Sequence, residues 1–253
     1  METNALYHYC KLSTAIEFVL PDKRLLLNPV GKTNDPRENK SFVFAAANVD
    51  STDTVWSIND KNSLISYEIR SDCKMLCLSE DHSPYFGYEL SRMWALYGDN
   101  HKGVCIQIAK DRFIEENRGM IKEGLFKRVN YYELDVTKPI VHREIDHAKI
   151  VEVGLAKYVR EEFRKENIDY LFFTKNKEWE SEHEFRLLYF SDKPEMEYCS
   201  IRKSIDAIYL GVDFNDKYLP ALQANLNNSE IFKLEYRDVR LIAKIVTQSN
   251  DAT

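Results

Sequence analysis

The first apolar segment of the chain has a histidine at its centre. Residues 6–10 read Leu-Tyr-His-Tyr-Cys and are predicted to form a buried strand. Such strands are usually built from Val, Ile and Leu, so the imidazole of His8 needs an explanation. A helix is predicted to follow, capped by Ser13 or Thr14 and stopped by Pro21. His8 therefore either forms structural hydrogen bonds within the core or lines a binding site.

Composition is that of a soluble globular protein. The 253 residues are 44% hydrophobic and 30% charged, and the formal net charge is −6. An acidic protein is not expected to hold nucleic acid chiefly by neutralising phosphates. No segment has the apolar length of a membrane span, and the N-terminus lacks the features of a signal peptide. Five cysteines, an odd number, are typical of a reduced protein. We therefore expect a cytoplasmic protein with no membrane partner.

Short strand-like segments outnumber helical ones. An amphipathic helix is predicted over residues 145–163, in a helical segment near 144–175, because apolar side chains recur there every three or four residues. Residues 48–63 are polar and are predicted to form a loop. The other predicted strands lie near residues 25–27, 75–78, 104–108, 129–132, 185–190, 207–212, 231–237 and 241–247. A short helix is predicted near 89–97, and a short helix or turn over 216–226. Because no Pro-, Gly- or Ser-rich linker divides the chain, we expect one α+β domain over residues 1–253.

Common catalytic motifs are missing. The sequence contains no GxGxxG or GxxxxGK[ST] pattern, so neither the classical dinucleotide-binding fold nor a P-loop is indicated. The GxSxG and HExxH motifs of serine hydrolases and zinc proteases are absent too. Cys73 and Cys77 are four residues apart, and no further ligands lie near them in the sequence. A metal site is therefore not expected.

Three glutamates alternate near residue 182. Glu180, Glu182 and Glu184 would share one face of a strand, since alternate residues of a strand point the same way. Like charges at close range raise one another's pKa and cost free energy. The pattern therefore indicates either an exposed charged edge or a functional pair, in which one carboxylate holds a sugar hydroxyl and the other polarises a nucleophile. Arg186, on the same face, could bind phosphate or restrain a glutamate.

Aromatic residues before and at the end of the predicted helix near 89–97 are candidates for stacking. Tyr97 lies next to Gly98, where its ring could stack on a ligand or pack in the core. If nucleic acid is the acceptor, recognition must be local, through base stacking and a few cations. The candidates are the rings of Tyr85, Phe86 and Tyr88, which could equally be core residues, and the cations Lys122, Lys127 and Arg128.

An ordered series of short blocks resembles a widespread bacterial family of uncharacterised cytosolic proteins. The blocks run in the order Leu6-Tyr7-His8-Tyr9, Asn34-Asp35-Pro36, Cys77-Leu78-Ser79-Glu80, Met93-Trp94-Ala95-Leu96-Tyr97, Gly103-Val104-Cys105-Ile106, Lys175 with Trp179, and Glu182-His183-Glu184-Phe185-Arg186. They cover residues 6 to about 190. Cys10 departs from the small hydroxyl residue expected at that position.

This pattern in turn is similar to that of divergent ADP-ribosyltransferases. The resemblance implies a split, strongly bent β-sheet with flanking helices and with NAD in its cleft. It implies that His8 holds the adenosine ribose, Tyr97 stacks on the nicotinamide and Glu184 binds the 2′-hydroxyl of the nicotinamide ribose. Glu182 would complete a paired-glutamate motif. The remaining residues expected to contact NAD are Tyr9, Asn28, Asn34, Asp35 and Arg186.

The resemblance thus implies an NAD-dependent ADP-ribosyltransferase. Such a protein would act as an intracellular toxin or anti-phage effector on RNA, DNA or protein, and an antitoxin partner would fit that role. Two alternatives remain open at this point. One is a metal-dependent nuclease or other hydrolase that uses Glu180, Glu182 and Glu184. The other is an inactive binding domain with a degenerate pocket.

Overall fold

The protein has an α+β fold built on one curled, half-barrel sheet with flanking helices. The computed structural model describes residues 4–39, 44–48, 55–133, 137, 143–226 and 229–246, with the backbone alone at residues 39 and 55–61. The class and the flanking helices agree with the sequence-based prediction.

The described residues form fifteen strands. In chain order these are β1 Ala5–Cys10, β2 Arg24–Leu26, β3 Asn28–Pro29, β4 Ala45–Ala47, β5 Cys73–Glu80, β6 Val104–Ala109, β7 Phe126–Arg128, β8 Asn130–Tyr132, β9 Glu144–Asp146, β10 Thr174–Asn176, β11 Glu184–Phe190, β12 Tyr198–Ser200, β13 Ile205–Leu210, β14 Glu230–Arg237 and β15 Arg240–Ile245. The main sheet has the order β15-β14-β13-β6-β1-β5-β11-β7, and β3 adds to β5. Only β13 and β14 run parallel among these neighbours.

Helices cover both faces of the sheet and fill the long connections. They are residues 12–22 with a π-helical turn at Ala15–Val19, Pro36–Asn39, Val55–Arg70, Ser91–Leu96, Lys110–Glu116, His147–Val153, residues 155–166 with a π-helical turn at Tyr158–Phe163, Ile168–Phe172 and Leu219–Gln223, with 3-10 turns at Val30–Lys32, Lys177–Glu182 and Asp216–Tyr218. None of the helices in these ranges is both long and apolar enough to cross a membrane.

The sheet is split between its two central strands. Strand β5 pairs with β1 only at one end, through Tyr7 with Ser79 and its neighbouring pair. Farther along, the same edge of β5 pairs with β3, through Asn28 with Met75. Because β11 occupies the whole opposite edge of β5, β1 and β3 diverge on this one edge. A gap therefore opens beside residues 76–78.

Two helix predictions need correction. The predicted loop over residues 48–63 is wrong from residue 55 onward, where the helix Val55–Arg70 begins; residues 49–54 lie outside the described chain. Its apolar stripe falls in the second half, where Ile65 and Ile69 are fully buried one turn apart. Pro21 does not stop the first helix, which continues to residue 22. It lies in the first turn of the last segment, where a missing N–H costs least.

The helix predicted over residues 145–163 is interrupted. Residues 144–146 form β9, and the helix begins at His147, capped by the Asp146 side chain, which accepts a hydrogen bond from the backbone N–H of Lys149. Gly154 then breaks it, with a φ of 89° that glycine adopts readily. The apolar periodicity continues across this break. It therefore predicts which face is buried but does not predict the break at Gly154.

The junction between β1 and β6 depends on one glycine. A Cβ on Gly103 would lie 2.3 Å from the carbonyl oxygen of Cys10 and 2.9 Å from that of Gly98. Both obstacles are backbone atoms, so relief requires the strands to move. We expect Gly103→Ala to lower the free energy of unfolding by about 1–3 kcal/mol, measured by urea denaturation. Gly119→Ala is the control, since nothing lies within 4 Å of its Cβ. Equal effects would contradict this packing.

Candidate functional site

A cavity of about 410 Å³ lies at the split of the sheet. Its walls come from the middle of β1, from residues 75–79 of β5, from the connection around residues 28–38 and from the end of the helix Ser91–Leu96. Lys175, Glu182 and Glu184 complete it. The volume is in the range of small-molecule sites, which are commonly about 300–1,000 Å³.

Glu184 is the first residue of β11 and pairs in register with Ser79 of β5. Its backbone N–H donates to the Tyr131 hydroxyl at 2.9 Å. Its Oε1 accepts from Arg186 Nε at 2.7 Å, and its Oε2 lies 2.7 Å from Lys175 Nζ. Burial would raise the pKa of this carboxyl, but Arg186 and Lys175 outweigh burial and lower the pKa to about 2. Glu184 therefore stays ionised.

Arg186 joins Glu184 to a second carboxylate. The guanidinium is fully buried and does not line the cavity. Besides Glu184, it donates through Nη1 to Glu38 Oε1 at 2.6 Å and to the Phe172 carbonyl. Burial raises the pKa of Glu38 despite the opposing effects of Arg186 and Lys175. Arg186 thus restrains two glutamates, which is one of the two roles that the sequence pattern allows. It lies behind the cavity wall and not on it, where a contact with NAD is expected from the resemblance.

Lys175 bridges the two motif glutamates. Its ammonium donates to Glu182 Oε2 at 2.9 Å, in addition to its contact with Glu184. Burial alone would lower the pKa of Lys175, but the carboxylates of Glu184, Glu38 and Glu182 together raise it. Lys175 is therefore a fixed positive charge and not a nucleophile.

Tyr97 connects the helix end to this network. Its hydroxyl donates to Glu182 Oε1 and accepts from Asn34 Nδ2, each at 3.2 Å. Burial, followed by the charge of Glu182, raises the pKa of Tyr97. The helix spans Ser91–Leu96, so Tyr97 lies at its end as predicted. Its half-buried ring lines the cavity.

His8 also lines the cavity, but it enters from the other face of the sheet. The register places Tyr7 and Ser79 on the face that carries Glu184, whereas His8 alternates to the opposite face. Only the split lets His8 and Glu184 reach one space. Desolvation lowers the pKa of His8 to about 4, so the ring is neutral at pH 7. None of the described residues forms a hydrogen bond with it.

The other expected NAD contacts divide into two groups. Tyr9, Asn28 and Asn34 line the cavity. Asp35 does not: it is buried, and its Oδ1 accepts the backbone N–H of Arg37 at 2.9 Å, which caps the helix Pro36–Asn39. The structure therefore gives Asp35 a structural role and places it off the cavity wall.

The prediction that Glu180, Glu182 and Glu184 alternate along one strand is wrong. Residues 177–182 form a 3-10 helix, and His183 adopts a left-handed φ of 42°, so strand alternation begins only at Glu184. Glu180 is exposed, whereas Glu182 is buried. His183 stacks on His82, with ring centres 4.3 Å apart, which holds this turn. Across the described ranges, no group of three or more His, Cys, Asp or Glu side chains could hold a metal ion.

Glu38 and the role of Lys175 are what the sequence analysis missed. Glu38 follows the Asn34-Asp35-Pro36 block, but its partner Arg186 lies 148 residues away. Short-range pattern carries no signal of such a contact. Lys175 was part of the resemblance without a role. Its place between two glutamates depends on the 3-10 turn that the strand interpretation excluded.

The aromatic loop before residue 91 is partly exposed. Tyr85 and Phe86 are 58% and 52% exposed, so the core interpretation is wrong for both. Phe86 stacks on Tyr88 with ring centres 5.5 Å apart, and Tyr88 stacks on Tyr209 at 4.1 Å. Among the three predicted phosphate contacts, Lys127 is paired with Asp169 and Arg128 with Glu80, while Lys122 is exposed.

Comparison with known protein families shows a similarity over part of the chain. Residues 93–187 match a family model described as "Protein of unknown function (DUF2971)". This part of the chain is thus similar to an uncharacterised protein family, as predicted, and it includes Tyr97, Lys175, Glu182 and Glu184. His8 and Glu38 lie outside the match. No curated protein and no solved structure matches the chain.

Two isosteric variants should show opposite pH dependence. The pKa of Glu184 is lowered in the folded state, so its stabilisation is present above the unfolded pKa and disappears as pH falls towards 2. We expect the advantage of the wild type over Glu184→Gln, on the order of 3 kcal/mol at neutral pH, to shrink between about pH 5 and 2. The pKa of Glu38 is raised, so the wild type should lose stability relative to Glu38→Gln as pH rises above about 4.5.

The measurement is urea denaturation of the three proteins across this pH range. Glu180→Gln, which removes an exposed carboxylate two residues before Glu182, is the control and should follow the wild type. If both buried variants followed the wild type at every pH, the described charge network would be contradicted.

Proposed function

We propose that the protein is an NAD-dependent ADP-ribosyltransferase whose substrate NAD binds at the split of the sheet. The observation that carries the proposal is the ionised carboxylate of Glu184, held on the cavity wall between Arg186 and Lys175. Cleavage at a sugar C1′ develops positive, oxocarbenium-like charge, as in glycoside hydrolysis. A fixed negative charge beside that carbon lowers the barrier, and such preorganised electrostatics are usually the largest catalytic contribution.

The polar groups of the cavity suit a ligand with several hydroxyls. Ser79 Oγ and Glu38 Oε2 are buried without a hydrogen-bond partner among the described residues. Buried polar atoms of this kind call for a partner. The neutral His8 ring supplies one more hydrogen-bonding group without a charge. Lys32, an exposed cation on the cavity wall, suits the diphosphate of a dinucleotide.

The role proposed for each cavity residue follows from its position. Glu184 holds the 2′-hydroxyl of the nicotinamide ribose, Tyr97 offers its ring to the nicotinamide, and His8 holds the adenosine ribose. NAD itself supplies the activated C1′–nitrogen bond. Glu182, bonded by Tyr97 and Lys175, fixes the positions of both groups. These assignments keep the resemblance-based roles of His8, Tyr97 and Glu184.

The arrangement favours this activity over a metal-dependent hydrolase. That alternative requires Glu180, Glu182 and Glu184 to converge, but Glu180 is exposed and the Lys175 ammonium lies between the other two carboxylates. A cation therefore already bridges the pair of oxygens that a metal ion would use. An inactive domain that binds NAD without turnover is distinguished by the following measurement.

Incubation with labelled NAD and cell lysate tests activity and acceptor class together. We expect label to enter the RNA, DNA or protein fraction and nicotinamide to be released. Glu184→Gln should lower nicotinamide release by about 10²–10³-fold, the usual cost of removing one electrostatic stabiliser. The variant keeps the shape of the side chain. Glu180→Gln should match the wild type. Wild-type protein that releases no nicotinamide, or full activity in Glu184→Gln, would refute the proposal.

We further propose nucleic acid as the acceptor, because two aromatic rings are exposed in the loop before the helix Ser91–Leu96. Base stacking is worth about 1–3 kcal/mol per base. Phe86→Ala should therefore lower labelling of nucleic acid about tenfold or more, with nicotinamide release in water unchanged. The control is Leu64→Ala, which truncates an exposed apolar side chain on the helix Val55–Arg70. Label found only in protein would exclude a nucleic-acid acceptor, and a parallel loss of both activities would give Phe86 a structural role.

A further inference from the structure

Two carboxylates on the cavity wall share one guanidinium but differ in their second oxygen. Arg186 donates to Glu38 Oε1 at 2.6 Å and to Glu184 Oε1 at 2.7 Å. Glu184 Oε2 faces the Lys175 ammonium. Neither Glu184 Oε2 nor the buried Glu38 Oε2 has a hydrogen-bond partner among the described residues, and the described ion pair of Glu38 uses only its Oε1. Glu38, which is 1% exposed, therefore has a carboxylate oxygen available to a ligand in the cavity.

The buried cluster has one more carboxylate than it has cations. Three carboxylates, those of Glu38, Glu182 and Glu184, face two cations, Lys175 and Arg186. Uncompensated buried charge is costly, so a cluster with one extra negative charge favours taking up a proton. The environments push the pKa values of Glu38 and Glu184 apart, upward for Glu38 and to about 2 for Glu184. Such a separation is typical of an acid–base group beside a permanently charged one.

Other groups on the wall are less suited to accept a proton. Both carboxylate oxygens of Glu182 are engaged, by Tyr97 and by Lys175. Lys175 is already protonated, and its raised pKa keeps it so. The lowered pKa of His8, about 4, makes it a weak base. Glu38 combines a position on the wall with a free oxygen.

We propose that Glu38 is a second catalytic residue of the cavity and accepts the proton of the acceptor hydroxyl during transfer. This inference rests on the proposed function. The sequence pattern gave the activation of the nucleophile to one of the alternating glutamates, whereas this inference gives it to a residue outside the paired-glutamate motif. Glu182 then serves to position Tyr97 and Lys175.

The step balances in atoms and electrons. The acceptor oxygen, from water or a target hydroxyl, forms a bond to C1′ of the nicotinamide ribose as the bond from C1′ to the nicotinamide nitrogen breaks. The electron pair of the broken bond stays on the nicotinamide, whose ring nitrogen loses its positive charge. The hydroxyl proton passes to Glu38 Oε2 and from there to solvent. Glu184 remains ionised throughout.

Burial raises the pKa of Glu38, and charged groups from four elements lie around it. Arg186 and Glu184 face it from β11, and Lys175 acts from β10. On its own segment, Asp35 and Arg37 are the nearest charges in sequence. Arg70, from the helix Val55–Arg70, donates to the Glu38 backbone carbonyl at 3.3 Å. The ionised form is the one that accepts a proton, so the pH profile of nicotinamide release should show an acidic limb that Glu38→Gln lacks.

Azide distinguishes proton acceptance from structural support, because it attacks carbon without a proton to lose. We expect Glu38→Gln to lower nicotinamide release in water by about 10²–10⁴-fold, the usual contribution of general base catalysis. Sodium azide should restore release in this variant to within tenfold of the wild type, with ADP-ribosyl azide as product. Azide should not rescue Glu184→Gln, and Glu180→Gln should behave as the wild type throughout.

Binding and stability supply readouts that do not depend on turnover. Calorimetric titration with NAD should give Glu38→Gln a Kd within threefold of the wild type. As pH rises above about 4.5, the wild type should lose stability relative to this variant. Active wild type with an equally active Glu38→Gln would overturn the inference. So would a variant that azide does not rescue while NAD still binds. Wild-type protein that releases no nicotinamide would instead refute the proposed function, and the inference with it.

Discussion

The candidate site depends on one buried guanidinium. Arg186 links its own strand β11 to the helix Pro36–Asn39 through Glu38 and to the end of the helix Ile168–Phe172 through the Phe172 carbonyl. Removing one partner of a buried ion pair costs about 3–5 kcal/mol, because the other charge is left uncompensated. An apolar replacement of the whole cluster would often be as stable. A network of this kind is therefore poorly explained by stability alone, and it suits a site that needs fixed charges.

The split of the sheet turns this network into a site. A continuous sheet would keep His8 and Glu184 apart, because their side chains alternate to opposite faces. Where β1 and β5 diverge, the cavity reaches both faces at once. The neutral imidazole and the ionised carboxylate thus face one cavity from two directions. The split closes where Tyr7 pairs with Ser79.

Much of this could be read from the sequence, since it rests on local pattern. Apolar runs located strands β1, β5, β6 and β11, and the ordered blocks brought His8, Tyr97 and Glu184 together. The errors arose where tertiary contacts override pattern. Strand alternation requires extended backbone through His183, but its backbone is left-handed and its ring stacks on His82. Glu38 was missed because only its distant contact with Arg186 distinguishes it from any other helix glutamate.

A crystal structure of Glu184→Gln with NAD tests the central claim most directly, since the variant keeps the shape of the cavity while slowing turnover. We expect NAD in the split between β1 and β5, with the nicotinamide ribose 2′-hydroxyl hydrogen-bonded to the side chain at position 184 and the adenosine ribose at His8. NAD bound elsewhere on the molecule, or a cavity that stays without NAD at saturating concentration while the network around Arg186 is intact, would contradict the claim.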